Sequence, residues 1–202
     1  MGFGPLRVIN DDTIAAGQGF GMHPHRDMEI ITVMVEGALT HADSMGNSAV
    51  LRAGEVQRMS AGRGIVHSEI NQTGAPCRLL QIWIEPAQLG IKPAYEQKPF
   101  AIGEGWTPLI EPNATGDAMT IERAVRLWRA QPLRQHQLPL PDAKERWLWL
   151  QVIDGELTLH SNGSPKQSLR RGDGVGLIQN AATQSELIGL GERADVLLFA
   201  LA

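Results

Sequence analysis

The 202-residue chain has a single cysteine, Cys77, so it cannot form an internal disulfide. That thiol lies in the apolar stretch Cys77-Arg78-Leu79-Leu80, which favours burial over reactivity and fits a reducing cytoplasm. No apolar run approaches the roughly 20 residues needed to cross a bilayer. The amino end, Met1 to Asp12, lacks the basic-then-apolar order of a secretory signal. A Lys/Arg-rich run is also missing: 18 basic residues against 22 acidic ones leave a net charge of -4, which argues against direct binding of nucleic acid. With 43% hydrophobic residues available for a core, these absences lead us to expect a soluble, cytoplasmic globular protein.

Turn-forming residues are plentiful. Twenty-two glycines and 12 prolines separate apolar runs too short for ordinary helices: Met28 to Val35, Leu79 to Ile84, Trp147 to Ile153 and Val196 to Leu201. Val33-Met34-Val35 runs into Glu36-Gly37, and Val152-Ile153 into Asp154-Gly155, as strands entering tight turns do. The pattern predicts an all-β fold.

An internal repeat divides the chain. Val35-Glu36-Gly37-Ala38-Leu39-Thr40 matches Ile153-Asp154-Gly155-Glu156-Leu157-Thr158, and Leu51-Arg52-Ala53-Gly54-Glu55 matches Leu169-Arg170-Arg171-Gly172-Asp173. Both matches fall at an offset of 118 residues (35 to 153, 51 to 169), with the paired glycines 17 positions apart in each copy (37 to 54, 155 to 172). This predicts two similar barrels, over residues 1–100 and 118–202. The Pro- and Gly-rich run Glu85 to Asp117 carries no clear strand signal, and residues 101–117 are read as a linker or wrapping segment.

The strongest chemical signal is His23-Pro24-His25, followed about forty residues later by His67-Ser68-Glu69. Three of only six histidines fall in these two pairs. In a strand, i, i+2 spacing puts both side chains on one face, so two neighbouring strands inside a barrel would converge four donors on one point. Neutral imidazoles with a carboxylate suit Fe, Mn, Co, Ni, Cu or Zn, and such a set leaves coordination positions open for water or substrate. The carboxylate could also take a proton from an incoming hydroxyl. Alternation carried on from His25 puts Glu29 on the same face, so spacing leaves Glu29 and Glu69 both open as the carboxylate. At the offset of 118, the four positions become Pro141, Ala143, Ser185 and Leu187, which predicts one loaded barrel and one empty barrel. His136 and His160 are then exposed polar residues, and His41, which at an even offset from His25 could face inward, is read as making a strand-end hydrogen bond. Met22, Met59 and Trp83 are expected to fill the barrel. Arg26, Asp27 and Asp43 are read either as groups orienting the ligands or as surface and turn residues.

Nearly the whole chain resembles the pirin family of bicupins, specifically its bacterial members with quercetin 2,3-dioxygenase activity. The resemblance runs through Leu6-Arg7-Val8-Ile9-Asn10-Asp11-Asp12, Gly19 to Glu29, Asp43-Ser44-Met45-Gly46-Asn47 and Met59-Ser60-Ala61-Gly62. It continues through Gly64-Ile65-Val66-His67-Ser68-Glu69 and Gln81-Ile82-Trp83-Ile84. It implies two tandem cupin (double-stranded β-helix, jelly-roll) barrels, with His23, His25, His67 and Glu69 as metal ligands and a carboxyl-terminal barrel that has lost its set. Fe(II) is the metal implied first. The implied reaction is cleavage of a flavonol such as quercetin by dioxygen with loss of carbon monoxide, Glu69 accepting the 3-hydroxyl proton. The resemblance equally permits a regulatory module acting on transcription or on metabolic enzymes through protein partners. Bacterial relatives also carry roughly thirty further residues, with an initial strand, before the segment matching Met1-Gly2-Phe3; a sheet edge without that strand favours pairing between chains.

Overall fold

The computed structural model describes residues 2–113, 116–143, 147–161, 164–178 and 185–202. Among them there is no α-helix, and no helix is long and apolar enough to cross a membrane. The chain divides into two compact units, residues 1–100 with 121–123, and residues 101–120 with 124–202.

The first unit contains β1 (Leu6–Ile14), β2 (Gly19–His25), β3 (Glu29–Glu36), β4 (Ala38–Asp43), β5 (Ser48–Arg52), β6 (Glu55–Ser60), β7 (Ile65–Ile70), β8 (Cys77–Ile84) and β9 (Ala94–Pro99). They form two antiparallel sheets, in the orders β1-β8-β3-β6-β9 and β2-β7-β4-β5. The second unit contains β10 (Thr107–Ile110), β11 (Val125–Ala130), β12 (Gln137–Pro139), β13 (Trp147–Asp154), β14 (Glu156–Ser161), β15 (Gln167–Arg170), β16 (Gly174–Ile178), β17 (Ser185–Gly189) and β18 (Asp195–Leu201). Its sheets run β10-β11-β18-β13-β16 and β12-β17-β14-β15.

The duplication extends beyond the two matching motifs. β3 and β4 begin and end at positions that, shifted by 118, give the bounds of β13 and β14. Registers agree as well: His41 faces Glu69 across β4 and β7, and Leu159 faces Leu187 across β14 and β17. In the last strand the correspondence slips by one. Thr32 pairs with Gln81, whereas its counterpart Leu150 pairs with Leu198, so β8 and β18 are related by 117.

The segment 101–117 is more than a linker: Thr107–Ile110 pairs with β11 in the second unit. Ala94–Pro99, in the same stretch without a clear strand signal, pairs with β6 in the first. Both are edge strands. An edge strand carrying Glu96, Gln97 and Lys98 has little of the apolar alternation by which a half-buried strand is read.

The interiors differ in kind. In the first unit one apolar cluster comprises Ile14, Met34, Leu39, Leu51, Cys77 and Leu79. Another comprises Ile30, Met59, Ala61 and Ile65, with Met28 and Trp83 against it. The sequence alternates one residue of each cluster with a buried polar residue between them, as in Ile30, Thr32, Met34 on β3. The same holds for Leu39, His41 on β4 and for Leu79, Gln81, Trp83 on β8, so a polar layer lies between two apolar ones. The second unit has one continuous apolar core, including Leu148, Leu150, Leu159, Leu187 and Leu198.

Candidate metal centre

β2 and β7 are antiparallel neighbours in which His23 lies opposite His67 and His25 opposite Ile65. A register shift between Phe20 and His23 sets this pairing. The period-two alternation then brings the three imidazoles together, with ring centroids 4.4 Å (His23–His67), 4.8 Å (His23–His25) and 5.0 Å (His25–His67) apart. One nitrogen from each of the three lies within 4.8 Å of the others. His23 and His25 are half-buried and His67 is fully buried, so the group opens on one side.

Glu69 sits one full alternation beyond His67, at the bottom of the polar layer and fully buried. With His67 and His41 it forms a second convergent group, again within 4.8 Å. His67 is therefore common to an outer set with His23 and His25 and an inner set with His41 and Glu69. Both of its ring nitrogens are buried without a hydrogen-bond partner. Burial, reinforced by the neighbouring histidines, pulls its pKa down to about 3, so the imidazole is neutral and keeps a lone pair for a cation. Burial also lowers that of His25.

The carboxylate of Glu69 is held by three donors from the facing sheet. Gln81 Nε2 donates to Oε2 at 2.7 Å, Gln57 Nε2 to Oε1 at 3.0 Å, and Thr32 Oγ1 to Oε1 at 3.4 Å. Burial drives the Glu69 pKa above the ordinary carboxylate value against these bonds and the nearby imidazoles. Trp83 Nε1 donates to Gln81 Oε1, and its ring meets His25 edge-on at 5.2 Å, so one side chain braces both an outer imidazole and the amide that holds Glu69.

Glu29 stands outside both donor sets. Asp27, in the left-handed region at φ 50°, breaks the alternation between β2 and β3. Glu29 accepts a hydrogen bond from Ser60 Oγ at 2.6 Å instead. His41, expected only to make a strand-end hydrogen bond, does bond Asp43 at 3.0 Å but also stands in the inner donor set, with Tyr95 stacked on its ring. Its signal was available in His41-Ala42-Asp43, a third pair of polar residues at i, i+2.

Of the other candidates, Met22 does not fill the barrel: it is 62% exposed on the outer face of β2, whereas Met59 is fully buried and Trp83 half-buried. Asp43 orients His41, while Asp27 accepts from the backbone of Gly90 and Arg26 donates to the carbonyl of Arg63. His136 and His160 are half-buried partners of Glu104 and Glu186. Cys77 is free and buried. A cavity of ≈ 370 Å³ adjoins His25, lined also by Pro24, Arg26, Ser44 and Ile65.

Two antiparallel barrels of common descent, one with a histidine- and carboxylate-rich centre and one with an apolar interior, define a bicupin. The chain belongs to the pirin family: the Pirin model matches residues 2–84, and the model described as the quercetinase C-terminal cupin domain matches residues 109–201. It is 43% identical over 190 residues to the quercetin 2,3-dioxygenase of Escherichia coli (strain K12), covering 93% of this chain and 82% of that one. It is 47% identical over 161 residues to the protein of that name from Escherichia coli O157:H7, covering 79% and 70%. Among solved structures, the bacterial pirin YhhW in complex with nickel(II) from Escherichia coli superposes with a TM-score of 0.88 at 42% identity, covering 100% of this chain and 84% of that one.

Proposed function

We propose that this protein is a metal-dependent oxidoreductase that opens the central ring of flavonols such as quercetin with dioxygen, with His23, His25, His67 and Glu69 as its metal donors. The observation that carries this reading is His67, whose two ring nitrogens are both buried and unpartnered within a cluster of further donors. Leaving such a group unsatisfied costs about 1–3 kcal/mol, and a bound cation removes that cost for the ring nitrogen that carries the lone pair. The nickel-bound relative supports a divalent ion, and the chemistry of three imidazoles and a carboxylate suits Fe(II) first, with Cu, Mn, Co, Ni or Zn as alternatives. When bound, such an ion supplies Lewis acidity and an open coordination position for the substrate oxygen and dioxygen.

The remaining work belongs to the protein. The cavity beside His25 is within the size range of small-molecule sites, and a planar phenol seated in it would touch one imidazole of the outer set. Glu69, whose raised pKa makes it a stronger base than an exposed carboxylate, takes the 3-hydroxyl proton. Gln57, Gln81 and Thr32 hold it while the proton arrives. The flavonolate and dioxygen then give the depside and carbon monoxide, which accounts for every atom.

The test is an aerobic assay of metal-loaded protein following the long-wavelength absorbance of quercetin. The His23→Ala, His67→Ala double variant is expected to be slower by at least ~100-fold, the low end of what a positioned acid–base group contributes. Equal decay rates for the variant and the parent would sink the proposal.

A further inference from the structure

We infer that the two barrels carry one matched ion pair in opposite polarity, and that this reversal keeps each flanking strand in its own barrel during folding. The last strand of the first barrel accepts a strand bearing a carboxylate, and the last strand of the second accepts one bearing a guanidinium.

In the first barrel β1 pairs with β8, placing Asp11 opposite Leu80 and Asp12 opposite Leu79. In the second β11 pairs with β18, placing Arg129 opposite Leu197 and Ala130 opposite Val196. The flanking strands are thus related by 118 (11 to 129, 12 to 130) and the last strands by 117 (80 to 197, 79 to 196). Asp11 therefore matches Arg129, and Arg78 matches Asp195. Both matched pairs are forked. Arg78 Nε donates to Asp11 Oδ1 at 2.7 Å and its Nη2 to Oδ2 at 2.6 Å. Arg129 Nε donates to Asp195 Oδ1 at 2.9 Å and its Nη2 to Oδ2 at 2.6 Å. The same two nitrogens meet the same two oxygens, but base and acid have exchanged strands.

The strand on the other side does not call for this exchange. There Arg78 lies opposite Glu36 of β3, whereas Asp195 lies opposite Asp154 of β13. An arginine at position 195 would have an acid across the sheet, as Arg78 does; the aspartate present faces a like charge. The second barrel keeps its polarity against that neighbour, with Gln131 Nε2 donating to Asp195 Oδ2 at 2.8 Å as a further support.

A duplicated chain offers each last strand two flanking strands of the same register, and misassembly between copies is the characteristic hazard of repeats. Crossed pairing would set Asp11 against Asp195 on β18 and Arg129 against Arg78 on β8. Arg78, Arg129 and Asp195 are all buried. Each crossed pairing would leave a buried charge facing its like, which costs far more than an exposed like-charged pair. Two pairs of the same polarity would accept either strand and discriminate nothing. Exchange of β1 between two copies of the chain is not hindered, since it returns Asp11 to an Arg78. The reversal selects between barrels and not between molecules.

Charge exchange separates fidelity from stability. In the Arg129→Asp, Asp195→Arg variant both barrels have the same polarity, and the introduced arginine faces Asp154. Its urea midpoint is expected to equal or exceed that of the parent. The native fraction recovered on dilution from urea, read by size exclusion and near-UV circular dichroism, is nonetheless expected to fall about twofold, the loss of an even choice between two strands. Adding Asp11→Arg and Arg78→Asp restores opposite polarity. Recovery is then expected to return to the parent's value, although the midpoint falls because the introduced aspartate faces Glu36. Parent-like recovery of the two-residue variant would overturn the inference. So would recovery of the four-residue variant no better than that of the two-residue one, including the case in which neither folds.

Discussion

Gln81 donates to Oε2 of Glu69 at 2.7 Å from the strand facing it, and takes the indole N–H of Trp83 on its own carbonyl oxygen. One amide thus satisfies two buried or half-buried groups on either side of it. Replacing it by leucine, the residue found at the matching place in the second barrel, strands both. Gln81→Leu is expected to lower the stability of the metal-free protein by about 1–3 kcal/mol, read as a lower urea midpoint at unchanged slope.

Metal removal has a thermal signature. A single-site ligand present at 100 times its dissociation constant adds about 2.7 kcal/mol. Chelation is therefore expected to lower the melting temperature by several degrees, a shift measurable by scanning calorimetry. The His67→Ala variant, which removes a donor from both sets, is expected to melt at the same temperature with and without the ion.

Glu29 gives the fold a pH dependence away from the donors. Its burial raises the carboxyl to about 7, against a hydrogen bond from Ser60 and the nearby Arg58. The native state then holds a proton that the unfolded state releases near the ordinary carboxylate value, so stability falls as pH rises between about 4.5 and 7 and is level on either side. Glu29→Gln keeps the acceptor for Ser60 and removes the charge. It is expected to stabilise the protein by a few kcal/mol at pH 8 and to leave it nearly unchanged at pH 4, as measured by denaturant melts at the two values.

Two pairs of glycines separate backbone strain from crowding. Gly37 and Gly155 occupy matching turns at φ 73° and 75°, and a Cβ there would lie 2.8 Å from Cys77 Cβ and 2.5 Å from the Arg193 carbonyl oxygen respectively. Gly54 and Gly172, at φ 84° and 88°, have open space around them. Alanine is expected to cost about 1 kcal/mol at Gly54 or Gly172 and about 2–4 kcal/mol at Gly37 or Gly155, as read by chemical denaturation.

These same glycines made the duplication legible, because an acidic residue followed by glycine marks a turn that tolerates few substitutes, and two such turns at one offset fix the register of everything between them. The convergence of His23, His25 and His67 was legible because i, i+2 spacing survives in any strand, while Glu69 falls, among the described residues, within the same donor distance of His67 and His41 only. What escaped depended on events that pattern cannot encode. The left-handed Asp27 removes Glu29 from the face that alternation assigned it, whereas Met22, next to the inward-facing His23, points outward by the same alternation and was misread. β9 and β10 were missed because edge strands bury too little to alternate clearly. His41 makes the hydrogen bond expected of it, to Asp43, while the stacking of Tyr95 on its ring exists only in the folded barrel.

The two interiors carry different local free energies of opening. Where the second barrel stacks leucines from facing sheets, the side chains of that layer gain on closing; where the first keeps glutamines, histidines and glutamate in the same layer, closing yields less without the proposed ion. Amide hydrogens on β13 and β18 are therefore expected to exchange more slowly than those on β3 and β8 in the ion-free protein, with the difference shrinking on loading. On the proposed reading, the folding free energy of the first barrel depends on the ion and that of the second does not.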